Sequence, residues 1–156
     1  MNSKRRTFLK TAGGASSIAI AAAAGLIKPA EVLAVEWNKA AFDAKGVPDA
    51  MKAVGATGAA DSKDILIKAP DIAENGAVVP VEVTSKIAGT SGIVLLVEKN
   101  ANPMVADFEL ANGADGYVST RIKMGQTSNV RVVVKAGGKT YSAVKEVKVT
   151  IGGCGG

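Results

Sequence analysis

The sequence predicts a mainly β chain, an antiparallel β-sandwich fronted by short helices, and three observations carry that prediction. From Asp64 onward, apolar residues recur with a period of two, as they do along strands that bury one face. Clusters of glycine, asparagine, aspartate and proline interrupt this pattern at short intervals, and those residue types favour turns. Upstream, Trp37, Ala40, Ala41 and Ala44 recur at helical spacing instead.

The helical stripe places a first helix over residues 36–44, with Gly46 as its stop. Pro48 fits the first turn of a second helix running through Met51 and Val54. The stripe containing Trp37 is expected to pack on the sheet; the alternative is a helix that binds a partner. Strands follow over residues 65–69, 77–86, 93–99, 104–110, 117–123, 129–136 and 139–151. Glu74-Asn75-Gly76, Gly89-Thr90-Ser91-Gly92, Asn112 to Gly116 and Gly137-Gly138 are the turns between them. Gly137-Gly138, between two valine-rich runs, is a hairpin signal. Seven short strands at this spacing indicate an immunoglobulin-like architecture. Pro80 cannot donate a ladder hydrogen bond, so its strand is expected at an edge or with a bulge. Ile93 to Val97 is apolar on both faces, and its outer face needs cover from the chain's own helices or from another chain. In the last strand Val147, Val149 and Ile151 share one face, and Glu146, Lys148 and Thr150 the other.

Residues 1–34 have the form of an export signal. Arg5 and Arg6 sit in Lys4-Arg5-Arg6-Thr7-Phe8-Leu9-Lys10, the twin-arginine pattern. A weakly apolar alanine- and glycine-rich run follows, and Val32-Leu33-Ala34 offers a cleavage site after Ala34. A membrane anchor is the alternative, but the run falls short of the roughly 20 strongly apolar residues that a span needs. The expectation is therefore cleavage, a periplasmic location and no membrane attachment afterwards. The twin-arginine route carries folded proteins, so a partner bound before export is also expected. The chain has 19 Lys+Arg against 14 Asp+Glu. The signal holds Lys4, Arg5, Arg6, Lys10 and Lys28 against Glu31 alone, so the remainder is nearly neutral. It shows no basic stripe of the kind nucleic-acid binding uses.

The other end holds the only cysteine, Cys154, between Gly152-Gly153 and Gly155-Gly156. Glycine adds no apolar contact and leaves the backbone free, and terminal segments stay mobile unless docked. The sequence thus divides into a signal (1–34), a body of helices plus sandwich (35–151) and an arm (152–156) that presents one thiol. Five extended residues reach on the order of 17 Å, enough to enter a partner's cleft. An internal disulfide is impossible with one cysteine, while an intermolecular one stays open. Only two residues follow Cys154, which excludes prenylation. The sequence contains no histidine, so neither an N/S zinc site nor a Cys-His pair can form, and no metal site is expected. An unperturbed thiol is only a few per cent thiolate at neutral pH, so activation falls to a partner enzyme. No catalytic residue, phosphate loop or cofactor motif is found. The expected role is that of a covalent carrier.

Four features together resemble the SoxY family, the sulfur-carrier subunits of bacterial thiosulfate oxidation. They are the signal at Arg5-Arg6, the stretch from Ile72 to Val81 (IAENGAVVPV), the run Val147-Lys148-Val149-Thr150-Ile151 and the Gly-Gly-Cys-Gly-Gly tail. Lys4 departs from the serine that many such signals carry before the arginine pair. The resemblance implies an immunoglobulin-like domain that works in the periplasm as a heterodimer with SoxZ. It implies that Cys154 is the covalent attachment site for sulfur, with Gly152, Gly153, Gly155 and Gly156 as its swinging arm. It also implies loading by a haem-containing cytochrome complex, sulfate release by a hydrolase, and a sulfane dehydrogenase as a further partner. The chain itself would carry no cofactor beyond the sulfur adduct. Two other readings come from different classes. One is a module that dimerises through a Cys154 disulfide. The other is a β-grasp carrier using Gly155-Gly156 as a thiocarboxylate, which conflicts with both the export signal and the all-β pattern.

Overall fold

The computed structural model describes residues 37–111 and 113–150. Among these described residues, two helices, α1 (Lys39–Asp43) and α2 (Val47–Ala53), precede nine strands. These are β1 (Ala60–Asp61), β2 (Ile65–Lys68), β3 (Ile72–Ala73), β4 (Val79–Ser85), β5 (Thr90–Val97), β6 (Met104–Glu109), β7 (Tyr117–Ile122), β8 (Ser128–Ala136) and β9 (Lys139–Val149). The large sheet runs β1-β9-β8-β5-β6, with β3 also on β9, and the small sheet runs β2-β4-β7. The result is the expected immunoglobulin-like sandwich. Both helices precede the strands, whereas a β-grasp body needs a helix after its first hairpin.

All seven anticipated strands form, with trimmed ends. Gly137 and Gly138 both take positive φ (55° and 74°), joining β8 to β9 in the register Ala136↔Lys139, as the hairpin signal required. β5 starts earlier than expected, at Thr90. The turn falls on Ile87 to Gly89, with Gly89 at positive φ (72°), the Thr90 hydroxyl is anchored by the Ile87 carbonyl and Ser85 Oγ, and the ladder is irregular between Thr90 and Gly92.

β1 and β3 were not anticipated, and they pair with β9 in parallel, at Ala60↔Tyr141 and Ile72↔Lys148. Between them the chain leaves for the small sheet as β2 and returns. One outer edge of β9 is therefore capped twice by a segment that switches sheets. Pro80 corrects a second expectation, because β4 is the central strand of its sheet. β2 pairs only Glu82 to Ser85 of β4, so at Pro80 the strand is locally an edge and no ladder bond is lost on that side.

Two apolar cores flank the large sheet. Inner-face residues Ile93, Leu95, Val130, Val132, Val134 and Val147 meet Val79, Val81, Val83, Ile122 and Met124 from the small-sheet side. On the outer face, Val94, Leu96, Val133 and Met104 are covered by Ala41, Ala50, Val54 and Ala56. The chain's own helices thus cover the doubly apolar β5. Each buried valine, leucine, isoleucine or methionine side chain contributes about 1.5–3 kcal/mol of transfer free energy.

Trp37 is placed differently from its expected role. Asn38 caps α1 by accepting from Ala41 N at 3.1 Å, so the helix begins after Trp37 and the stripe loses its first member. Trp37 is 65% exposed and stacks on Phe42 with ring centroids 4.1 Å apart. Ala41 is the one stripe residue that is fully buried.

Candidate functional site: the root of the cysteine segment

The residues singled out at the two ends, namely Arg5, Arg6, Gly152, Gly153, Cys154, Gly155 and Gly156, lie outside the described residues, as do Ile151 and the boundary after Ala34. What the structure provides is the root from which the cysteine segment departs. It is built by β9, the longest strand of the molecule, and by the loops around its end.

β9 is held along both edges. On one side it pairs with β8 from Ala136↔Lys139 to Ser128↔Val147. Past that point the Thr127 hydroxyl takes over: it accepts from Val149 N at 2.9 Å and donates to Val149 O at 3.4 Å. On the other side Lys148 N donates to Asp71 O at 3.0 Å and Thr150 N to Ala73 O at 3.1 Å. The Thr150 hydroxyl lies 3.5 Å from Ala73 O and 3.4 Å from Glu74 O. Backbone pairing thus persists to the last described residue.

The turn after β3 closes over this end. Asn75 makes the turn by accepting from Ala77 N at 2.9 Å. Gly76 then approaches so closely that a Cβ there would stand 2.4 Å from Met124 O and 2.8 Å from Val149 Cγ1. Met124 N donates to Gly76 O at 2.7 Å. The stretch Ile72 to Val81 is therefore the buttress of the β9 terminus. Ile72 and Val78 are exposed on this buttress.

Asn100 ties the remaining loops of the same pole together. Its side-chain amide donates to Lys123 O at 2.8 Å and accepts from Gly125 N at 3.1 Å, while Gln126 donates to Lys99 O at 3.2 Å. Just beneath, Glu98 accepts from Arg131 Nε at 2.9 Å, Arg131 Nη2 at 2.6 Å and Asn129 Nδ2 at 3.0 Å. Burial pushes the Glu98 carboxyl up, but the hydrogen bonds from Asn129 and Arg131 and the nearby positive charges outweigh it and hold the pKa below its ordinary value. Lys145 Nζ bridges to Asp71 Oδ1 at 3.0 Å, pinning the segment that leads into β3. Among the described residues no group of three metal-ligating side chains assembles.

Sequence reasoning identified the strand that roots the segment but missed Thr127, Gly76 and Asn100. Asn75-Gly76 was legible as a turn. Its closeness to Val149 depends on a strand some seventy positions away and carries no local signal.

Fold and root together define the class: an immunoglobulin-like sandwich whose final strand is secured to its end and whose only thiol follows just beyond. The family model for the sulfur oxidation protein SoxY matches residues 50–154, which includes Cys154, and the chain belongs to that family. The solved structure of the sulfur carrier protein SoxY from Chlorobium limicola f thiosulfatophilum is 47% identical, with a TM-score of 0.62, over 70% of this chain and 96% of that one. A superoxide reductase (neelaredoxin) from Ignicoccus hospitalis shares 19% identity and a TM-score of 0.50 over 55% of this chain and 80% of its own, a likeness of fold alone. No curated protein matches the chain.

Proposed function

We propose that the chain is a sulfur carrier of bacterial thiosulfate oxidation that holds its cargo covalently on Cys154. The observation that carries this reading is the root: β9 remains paired through Thr150, so the only cysteine follows a fixed point by a few glycine-rich residues. Membership of the SoxY family and the 47% identity to a sulfur carrier protein support it.

In this reading a haem-containing cytochrome complex joins thiosulfate to Cys154. A bond forms between Cys154 Sγ and the sulfane sulfur, the thiol proton leaves, and two electrons would pass, one at a time, to the partner complex. A hydrolase then cleaves the bond between sulfane sulfur and sulfonate. Water supplies the oxygen that completes sulfate, two protons are released, and a persulfide stays on Cys154. Further partners, a sulfane dehydrogenase among them, then oxidise the remaining sulfane sulfur, taking up its electrons, or remove it. The chain supplies position and a thiol; its sequence has no histidine to act as the usual general base, and the chemistry belongs to its partners. SoxZ is the proposed stable partner, and the twin-arginine signal at Arg5-Arg6 supports export to the periplasm, where thiols are not held reduced.

The test is the intact mass of the mature protein from cells oxidising thiosulfate, before and after a thiol reductant. Reductant-sensitive increments of sulfur, sulfite or thiosulfate size on Cys154 are expected. A free thiol or a simple disulfide homodimer would replace the carrier with a dimerising module. Cys154→Ser is expected to fold, keep its partner and abolish thiosulfate-dependent respiration; full activity in that variant would exclude the assignment.

A further inference from the structure

We propose that Val149 sits in a collar that fixes where the cysteine-bearing segment leaves the body, and that Thr127 is the positioning residue of this collar. The proposal rests on the carrier reading for its purpose, but its geometry stands independently.

The β8–β9 ladder ends at Ser128↔Val147. Beyond it, the N–H and C=O of Val149 face the side where β8 no longer pairs. Thr127 fills that place with one oxygen, accepting from the N–H at 2.9 Å and donating to the C=O at 3.4 Å. The side chain thereby acts as one more ladder residue. The opposite edge holds both neighbours of Val149, through Asp71 O to Lys148 N and Ala73 O to Thr150 N. The missing Cβ of Gly76 leaves the space in which Val149 Cγ1 lies. Two stretches of chain, residues 71–76 and the loop at Thr127, thus converge on Val149 and its two neighbours at the end of β9.

Val147 is fully buried in the sandwich core, and Val149, partly buried, packs at the margin of that core. What the collar does define is length. Each residue freed at the root adds about 3.3–3.6 Å to the reach of Cys154. The effective concentration of a tethered group is greatest when tether length matches the span, and falls as the tether lengthens further. A fixed exit therefore sets the depth at which the thiol enters a partner's cleft.

The experiment uses the full mature chain as wild type, Thr127→Ser, Thr127→Val, and Thr127→Val with Gly152 deleted. Amide exchange at Val149 is read by NMR. Reach is read by electron–electron distance measurement between a nitroxide on Cys154 and one on an introduced Ala101→Cys, and loading is read as thiosulfate transfer by the cytochrome complex. In Thr127→Val, exchange at Val149 is expected to quicken about tenfold, the fold-change of one lost hydrogen bond. The distance distribution should broaden to longer values, and loading should slow. Thr127→Ser keeps the hydroxyl and should match wild type on all three readouts. Deleting Gly152 should recover loading in the valine variant, which a merely destabilised root would not allow. Unchanged exchange or unchanged reach in Thr127→Val overturns the collar, as does failure of the shortened arm to recover loading. A wild-type chain that accepts no sulfur from thiosulfate counts against the carrier reading alone, because exchange and reach judge the collar without it.

Discussion

Gly76 owes its identity to contacts far away in sequence. A methyl group there meets a backbone oxygen at 2.4 Å, and a carbonyl cannot swing aside as a flexible side chain does. Gly76→Ala is therefore expected to cost about 1–3 kcal/mol, the usual penalty for overpacking, and to loosen Val149. Denaturant unfolding reads the first effect and amide exchange the second. Glu98 gives a pH prediction. Its folded pKa is lowered, so the stability it contributes is present above the unfolded value and is lost as pH falls through the folded value. Glu98→Gln should flatten the decline of Tm as pH falls below the ordinary glutamate range, and an unaltered acid limb would contradict this role. Trp37 shows where local pattern misleads. Its spacing fits a helical stripe, but Asn38 is a better cap than a helix interior residue, and capping there leaves the indole outside the helix to stack on Phe42.

The elements read best where the pattern was long. β8 and β9 run for nine and eleven residues, and an apolar residue at every second position, as at Val130, Val132, Val134 and Ala136, is hard to mistake over that length. β1 and β3 are two residues each, too short for any period, and β9 alone decides that they become strands. Their parallel direction follows from a chain that runs beside β9, leaves as β2 and returns in the same sense. Pro80 was legible as a residue without a ladder donor; that its strand is central was not, because the shortness of β2 is set by the sheet switch. The cover over β5 belongs to the same scale. Leu96 is fully buried in the core beneath the helices. Leu96→Ala should cost about 2–5 kcal/mol and raise amide exchange in α1 and α2 ahead of the inner strands. Uniform exchange across both cores would show that the helical layer does not unlock separately.

At the scale of the molecule, the fold class followed from turn spacing, while the candidate site was legible only in its cysteine-bearing tail. One cysteine among glycines announces itself, but the root that aims it is assembled from β3, the turn at Gly76, the loop at Thr127 and β9, which meet only after folding. Replacing Gly152 and Gly153 with proline should leave the thiol titratable and slow its loading, since proline fixes φ and stiffens the segment. Unchanged loading kinetics would remove flexibility from the account. The two cores have a further consequence, a chemical one. After residue 34, the sulfur-bearing side chains are Met51, Met104, Met124 and Cys154. Met104 and Met124 are shut into the helical and sandwich cores, where oxidants that convert exposed methionine to its sulfoxide do not reach. Met51 alone of the three is half-buried. In the proposed carrier role, the sulfur atoms of the two cores would thus be kept apart from the oxidising sulfur species that Cys154 would meet, and the framework would outlast many rounds of chemistry at the cysteine.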